Sequence, residues 1–260
     1  MEQLLVLDLE TLPDLDAGRA LLGEAASGLD ASALRAALGA RYAREGQDPA
    51  TVFLKPVLHR ICVVGVLRAE REGPQSPWQV TRIRARSTDE LSEAEMLAGL
   101  ETSFRQQPVL VGFNTMGFDL PVLRYRALAL GVAMPALLGP GGKDYAYRFG
   151  TAHIDMCERL SGFRATTPPS LAEACSLLGI PAKGEMSGYD VEPAMAAGRG
   201  AEVARYCETD VAATYLLWLR WMQAMGAEEI AASFSAFADF AEASPHLAEH
   251  AQAARRLAGL

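Results

Sequence analysis

The chain has 260 residues, of which 50% are hydrophobic and 22% charged, with a formal net charge of −8. This is the composition of a globular protein long enough to bury a sizeable core, as one large domain or one domain with an extension. It excludes a long apolar span of about 18 residues or more, and the acidic balance excludes broad, sequence-blind duplex binding by a basic surface, though not a local grip on nucleic acid.

The N-terminus shows no basic leader ahead of a small-residue cleavage site, so the protein is expected to be cytoplasmic. Residues 3–10 read as a buried strand, because LLVLDLE is largely aliphatic. Residues 14–45 carry a helical period, and 46–58, with Pro49 and Pro56, read as a loop. HRICVVGVLRA, 59–69, is a second strong strand; 70–77 is a polar turn; WQVTRIRARS, 78–87, alternates and reads as a third, more exposed strand. Ser87 and Glu90 form an S-x-x-E pattern that predicts a helix from there to about 106. PVLVGFN, 108–114, is a fourth buried strand, followed by a helix over about 118–130. After the Gly- and Pro-rich stretch 131–150, TAHIDMCERL predicts a short last strand running into a helix. Ser170 and Glu173 form a second S-x-x-E pattern that opens the helix SLAEACSLLG. A loop at 181–190, a helical turn at 191–197, a long helix at 200–225 and a helical tail at 227–260 complete the chain. Strands first, with helices interspersed, predict an α/β domain of three layers around a mixed sheet. The body is 1–226 with an insert at 13–58, and 227–260 is an extension. Cys62, Cys157, Cys175 and Cys207 include no CxxC pair and read as buried free thiols, not zinc ligands or disulfides.

Two carboxylates interrupt the first strand. Asp8 and Glu10 are two apart, so both point to one face. They stand at the C-terminal end of the strand, where ligand sites of open α/β sheets gather. Burying them is costly unless they are paired, protonated or bound to a cation. Asp119 follows the fourth strand in GFNTMGFDLPVL, just inside the next helix. Tyr206 and Asp210 are four apart in RYCETDVAATYLLWLRW and share one helix face. Taken singly, each has a plain structural reading: a strand end paired with arginines, a helix N-terminal charge, an ordinary helix face. Together they offer four carboxylates from three elements, a donor set suited to hard divalent cations such as Mg²⁺ or Mn²⁺.

These residues resemble the motifs of the DEDD superfamily of 3′–5′ exonucleases. Asp8-Leu9-Glu10, followed by Thr11, matches D-x-E. Asn114 to Phe118-Asp119 matches the N-x-x-x-F-D form found in the proofreading domains of family B DNA polymerases. Tyr206 and Asp210 match Y-x-x-x-D of the tyrosine (DEDDy) subclass. The resemblance covers roughly residues 1–225, shows no polymerase domain, and is to the stand-alone bacterial group related to those proofreading domains.

The resemblance implies a ribonuclease H-like three-layer α/β fold with a mixed five-stranded sheet flanked by helices, 1–226 being the exonuclease domain. It implies a metal-dependent hydrolase of phosphodiester bonds at 3′ ends of single-stranded or frayed DNA, releasing 5′-mononucleotides. The alternatives are a 3′–5′ exoribonuclease, a catalytically silent nucleic-acid-binding module of the same fold, or a phosphomonoesterase. It further implies two ions, Mg²⁺ or Mn²⁺, about 3.5–4 Å apart and bridged by Asp8. Glu10 and Asp210 would hold the ion that carries the attacking water, Asp119 would serve the other, and Tyr206 would orient that water. Thr11 and Leu12 would stand at the site mouth. Asn114 and Phe118 would hold the terminal nucleotide, with Phe118 stacking or packing in the core. Lys183 and the loop GEMSGYD after it would touch phosphates, though most of that loop reads as a solvated surface. Arg82, Arg84 and Arg86 share one strand face and read as a charged edge that discourages strand pairing more than as a nucleic-acid track. Three motifs are set aside. HLAEH, 246–250, lacks a downstream third metal ligand; GPGGK, 139–143, lacks P-loop spacing; DLET, 8–11, has Glu where phosphatases of the D-x-D-x-T type have Asp.

Overall fold

The computed structural model describes residues 1–139, 142–182, 186–227 and 230–259. Five strands form one sheet: β1 (Glu2–Pro13), β2 (His59–Arg71), β3 (Gln79–Ser87), β4 (Val109–Gly112) and β5 (His153–Asp155), in the order β3-β2-β1-β4-β5. β2 is antiparallel to β1 and β3, whereas β4 and β5 run parallel to β1. β1 therefore lies at the centre with both faces covered, which is why it reads as an unbroken aliphatic run. Its pairing register shifts between Glu10 and Thr11, bending the strand just past the two carboxylates.

Residues 14–58, between β1 and β2, hold α1 (Leu15–Leu22) and α2 (Ala31–Ala40), capped by Asp14 and Asp30. They pack on each other around Leu38, Leu54 and Leu58. α3 (Glu93–Phe104) and α4 (Asp119–Leu130) cover one face of the sheet, burying Leu5, Leu7, Leu9 and Leu110 against Met96, Leu100, Phe104 and Leu123. Arg126 of α4 ties the insert down: it is paired with Asp14 and forks onto Glu93 at 2.7 and 2.8 Å. The short helices α5 (Pro135–Leu138), α6 (Met156–Leu160), α7 (Leu171–Ser176) and α8 (Val191–Ala196) lead to α9 (Gly200–Ala224). α9 lies across the other face, and every residue from Val211 to Leu219 is buried, between Leu4, Val6, Leu67 and Val111 on one side and Phe234 and Phe237 on the other.

Those two phenylalanines belong to α10 (Ile230–Ala241), which with α11 (Ala248–Ala258) forms the tail. The tail shares the main core, and Trp78 N–H donates to Ser233 Oγ across it at 2.9 Å. Gly65 on β2 sets how near α9 can come: a Cβ there would lie 2.4 Å from Cys207 Sγ. All four cysteines are buried and free. Among the described residues no helix is long and apolar enough to cross a membrane.

One expected boundary is corrected. Ser87 does not start a helix; it ends β3, and Thr88 N–H continues the sheet by donating to Cys62 O at 2.8 Å. Glu90 is drawn to Arg86 instead. The same S-x-x-E pattern recurs five residues on, and there Ser92 caps α3 while Glu95 returns to the Ser92 N–H at 2.8 Å. Sheet pairing of the first copy leaves the second to open the helix. The Ser170–Glu173 capping box does open its helix, α7.

Candidate active site

Three elements deliver the acidic side chains to one edge of the sheet. Asp8 and Glu10 end the buried part of β1. Asp119 is the first residue of α4 and 3% exposed; its Oδ1 accepts from Leu9 N–H at 3.0 Å, so the start of α4 is fastened between the two strand carboxylates. Tyr206 and Asp210 come from α9, four residues apart, with the Tyr206 hydroxyl and the Asp210 carboxylate close enough to shift each other's proton affinity. Cys207, on the neighbouring turn, sits 3.2 Å from Asp8 Oδ2. Asp8, Glu10 and Cys207 each offer a donor atom within 4.8 Å of the others.

The electrostatics record how closely the four carboxylates face one another. Burial pushes Asp8 up to about 6. Glu10 is held well above the usual carboxylate range by burial and then by repulsion from Asp8, Asp210 and Asp119. Asp119 is raised by burial and by Asp8. Asp210 is raised by burial and by Asp8, with the Tyr206 hydrogen bond pulling the other way. Burial, then Asp210, Glu10 and Asp8, push the Tyr206 phenol up, so it stays a hydrogen-bond donor. Among the described residues no Arg, Lys or His counts among the groups acting on these four carboxyls. Such a set holds protons or cations; it is not stable as four bare anions.

The loop before Asp119 is rigid for a reason the sequence did not reveal. Asp155, at the end of β5, is 4% exposed and accepts from Asn114 N–H at 2.9 Å, Met116 N–H at 2.8 Å and Cys157 N–H at 3.0 Å. Thr115 Oγ1 meets His153 Nε2 at 2.7 Å, and Gly112 leaves room for that threonine, since a Cβ there would lie 2.1 Å from Thr115 Cγ2. An aspartate between a strand and MCERL signals a helix cap, which accounts for the bond to Cys157 but not for those to the Asn114 loop.

The expected substrate contacts are placed as follows. Thr11 Oγ1 bonds His59 Nδ1 at 2.8 Å. Leu12 packs on the same small cluster of buried residues as Tyr206, around Val63, Val203 and Cys207. Asn114 adopts a left-handed φ of 58°, which asparagine tolerates, and its carboxamide oxygen accepts from Arg164 Nη2 at 2.8 Å. Phe118 stands 5.1 Å, centroid to centroid, from both His59 and Phe53. Lys183 lies outside the described residues. Glu10, Thr11, Phe118, Phe53, His59 and Tyr189 line a cleft of about 590 Å³ that opens from the carboxylates. Phe53 and Tyr189 are 69% and 82% exposed; Tyr189 belongs to the loop that follows Lys183, whereas Phe53 was missed. An aromatic in a Pro-flanked loop was the available hint for Phe53.

A five-stranded mixed sheet flanked by helices, with carboxylates from β1, α4 and α9 at one edge, is a ribonuclease H-like α/β fold with an acidic site of the metal-binding type. The chain belongs to the family described as a predicted 3′–5′ exonuclease related to the exonuclease domain of PolB, whose model matches residues 51–254. That match includes Asp119, Tyr206 and Asp210 and begins after Asp8 and Glu10. Among solved structures, 55 chains match. One is the family B DNA polymerase from the hyperthermophilic archaeon Pyrobaculum calidifontis, at 16% identity and a TM-score of 0.52. The likeness covers 96% of this chain and 27% of that polymerase, and it shows the fold. No curated protein matches the chain.

Proposed function

We propose that the protein is a metal-dependent 3′–5′ exonuclease that removes 5′-mononucleotides from single-stranded or frayed DNA ends. One observation carries the reading: Asp8, Glu10, Asp119 and Asp210, two of them buried and two partly buried, act on one another beside Tyr206 and without a basic partner among the described residues. Four oxygen donors in one buried cluster fit Mg²⁺ or Mn²⁺. Asp8, Glu10, Asp119 and Asp210 would hold such ions. When bound, the ions would lower the pKa of a coordinated water and offset charge on the attacking and leaving oxygens.

The chain's own groups supply the rest. Tyr206 keeps its proton beside Asp210, and the hydroxyl would orient a water at that carboxylate. Cys207, a neutral thiol against Asp8, limits where that carboxylate turns. The cleft is large enough for a nucleotide, at about 590 Å³. Phe118 and Phe53 present ring faces for the terminal bases, Thr11 and Leu12 flank the mouth, Asn114 holds the loop under Phe118, and Lys183 adds charge for the phosphates. The protein is placed in the cytoplasm, with 1–226 as the exonuclease domain, 13–58 as an insert in it, and 227–260 as a helical extension packed on its core.

The test is incubation with 5′-labelled single-stranded DNA and RNA in Mg²⁺, Mn²⁺ or EDTA. A stepwise ladder from the 3′ end, on DNA and only with metal, is the expected result. A ladder on RNA alone would move the reading to an exoribonuclease, and no shortening of either would sink it.

A further inference from the structure

The face of the sheet opposite α9 carries a second feature. Arg82, Arg84 and Arg86 of β3 and Arg68 of β2 line one groove between the sheet and α3. Val64, Val66, Leu91, Met96 and Leu100 form its floor. Arg82 and Arg84 are exposed, and with Arg68 and Arg86 they rim an apolar channel. Arg68 donates to Ser103 Oγ, and Arg86 pairs with Glu90. Among the described residues no carboxylate lies within ion-pair distance of Arg82 or Arg84; Glu95, on the far wall, is occupied by the Ser92 cap. Arg68 is itself lowered from its usual range by burial and by the nearby Arg82 charge. A chain of net charge −8 thus lines up four arginines, of which Arg82 and Arg84 have no carboxylate partner among the described residues.

The line has a direction. β1 and β3 both run antiparallel to β2, so they are parallel to each other. The series Arg82, Arg84, Arg86 therefore climbs toward the edge that holds Asp8 and Glu10. Arg86 and Leu9 both pair with Val64, so the last arginine stands two strand spacings, or about 10 Å, across the sheet from Leu9, on the face opposite the one to which Asp8 and Glu10 point. Alternate residues of a strand are spaced by about 6.6 Å, a repeat suited to successive charges of an extended polymer. The groove, at about 200 Å³, is too small to enclose a nucleotide, so it suits a strand lying across it. Guanidinium groups over an apolar floor also accept bases without reading sequence.

We propose that this groove is a distal binding site for single-stranded nucleic acid, holding the phosphates of the strand upstream of the 3′ end being trimmed. The proposal rests on the exonuclease reading for the identity of the strand, and its test separates the two. Binding is measured by fluorescence anisotropy in EDTA, with oligothymidylates of two lengths, one filling only the cleft and one several times longer. The variants are Arg82→Ala/Arg84→Ala and the charge-retaining Arg82→Lys/Arg84→Lys, each checked for an unchanged melting temperature. The wild type should bind the long strand more tightly than the short one. Loss of two phosphate contacts should flatten the plot of log affinity against log salt by about 1.4, at about 0.7 per contact for single strands. The lysine variant should restore the slope, and the short oligomer should bind all three proteins alike. In Mg²⁺, hydrolysis of thymidine 5′-(p-nitrophenyl phosphate) reports on the active site alone, and its failure would count against the exonuclease reading only. An unchanged slope in the alanine variant would overturn the groove. So would polyglutamate displacing the long strand as well as oligothymidylate does, which would assign the groove to an acidic protein.

Discussion

Replacing Asp8 with asparagine should make the metal-free protein more stable at neutral pH while destroying its response to metal. In the folded protein burial raises the Asp8 carboxyl to about 6, whereas in the unfolded chain it titrates near its ordinary value of about 3.9. A raised folded value means that the folded state holds the proton longer than the unfolded state. The associated stability is complete below about pH 4 and is lost as pH rises through about 6. Two pKa units correspond to about 3 kcal/mol. Asp8 is only partly buried, and an asparagine amide there has its own desolvation cost of about 1–3 kcal/mol, so the net gain at pH 7.5 is about 1 kcal/mol. For a chain of this size that is about 2–4 °C in melting temperature. Calorimetry in EDTA from pH 4.5 to 8 should show the wild type losing stability through the window while Asp8→Asn runs flatter. In Mg²⁺ the order should reverse, because only the wild type gains a ligand that binds the folded state. Parallel pH profiles for the two proteins in EDTA, or equal gains in Mg²⁺, would refute the electrostatic account of the site.

Asp119→Asn should leave almost no turnover, whereas Tyr206→Phe, which deletes one hydroxyl and keeps the ring, should cost on the order of 10²–10³ in single-turnover rate at saturating Mg²⁺. Gly65→Ala puts a methyl into Cys207 and should cost about 1–3 kcal/mol and slow the reaction by lifting Tyr206 and Asp210 off β1; adding Cys207→Ala should recover part of the stability in urea melts. Arg126→Met strands Asp14 and Glu93, at about 3–5 kcal/mol, and should expose the insert at 13–58 to limited proteolysis before the rest of the chain. A chain ending at residue 226 loses Phe234 and Phe237 from the core at about 3–5 kcal/mol each, and should fail to give a cooperative thermal transition.

Local chemistry made much of the molecule legible. β1 announced its central place through an aliphatic run, and β3 announced its exposed edge through alternation. The positions of Asp8, Glu10, Asp119, Tyr206 and Asp210 on strand, helix start and long helix followed from periodicity and spacing. The boundary of α3 did not, because two S-x-x-E patterns five residues apart are equivalent to any local rule. Only the bond from Thr88 to Cys62 on β2 decides between them.

What the tertiary structure alone decided concerns groups distant in sequence. Cys207 against Asp8, Asp155 beneath the Asn114 loop and Phe53 beside Phe118 are pairings across 199, 41 and 65 positions, and no period or cap encodes them. The same holds for the arginines of β3. The sequence by itself determined that they share a face, because side chains alternate along a strand. Whether that face meets water or a groove depended on where α3 crosses the sheet, and that is set by the packing of Met96 and Leu100 on Val64, a contact between elements that no local pattern specifies.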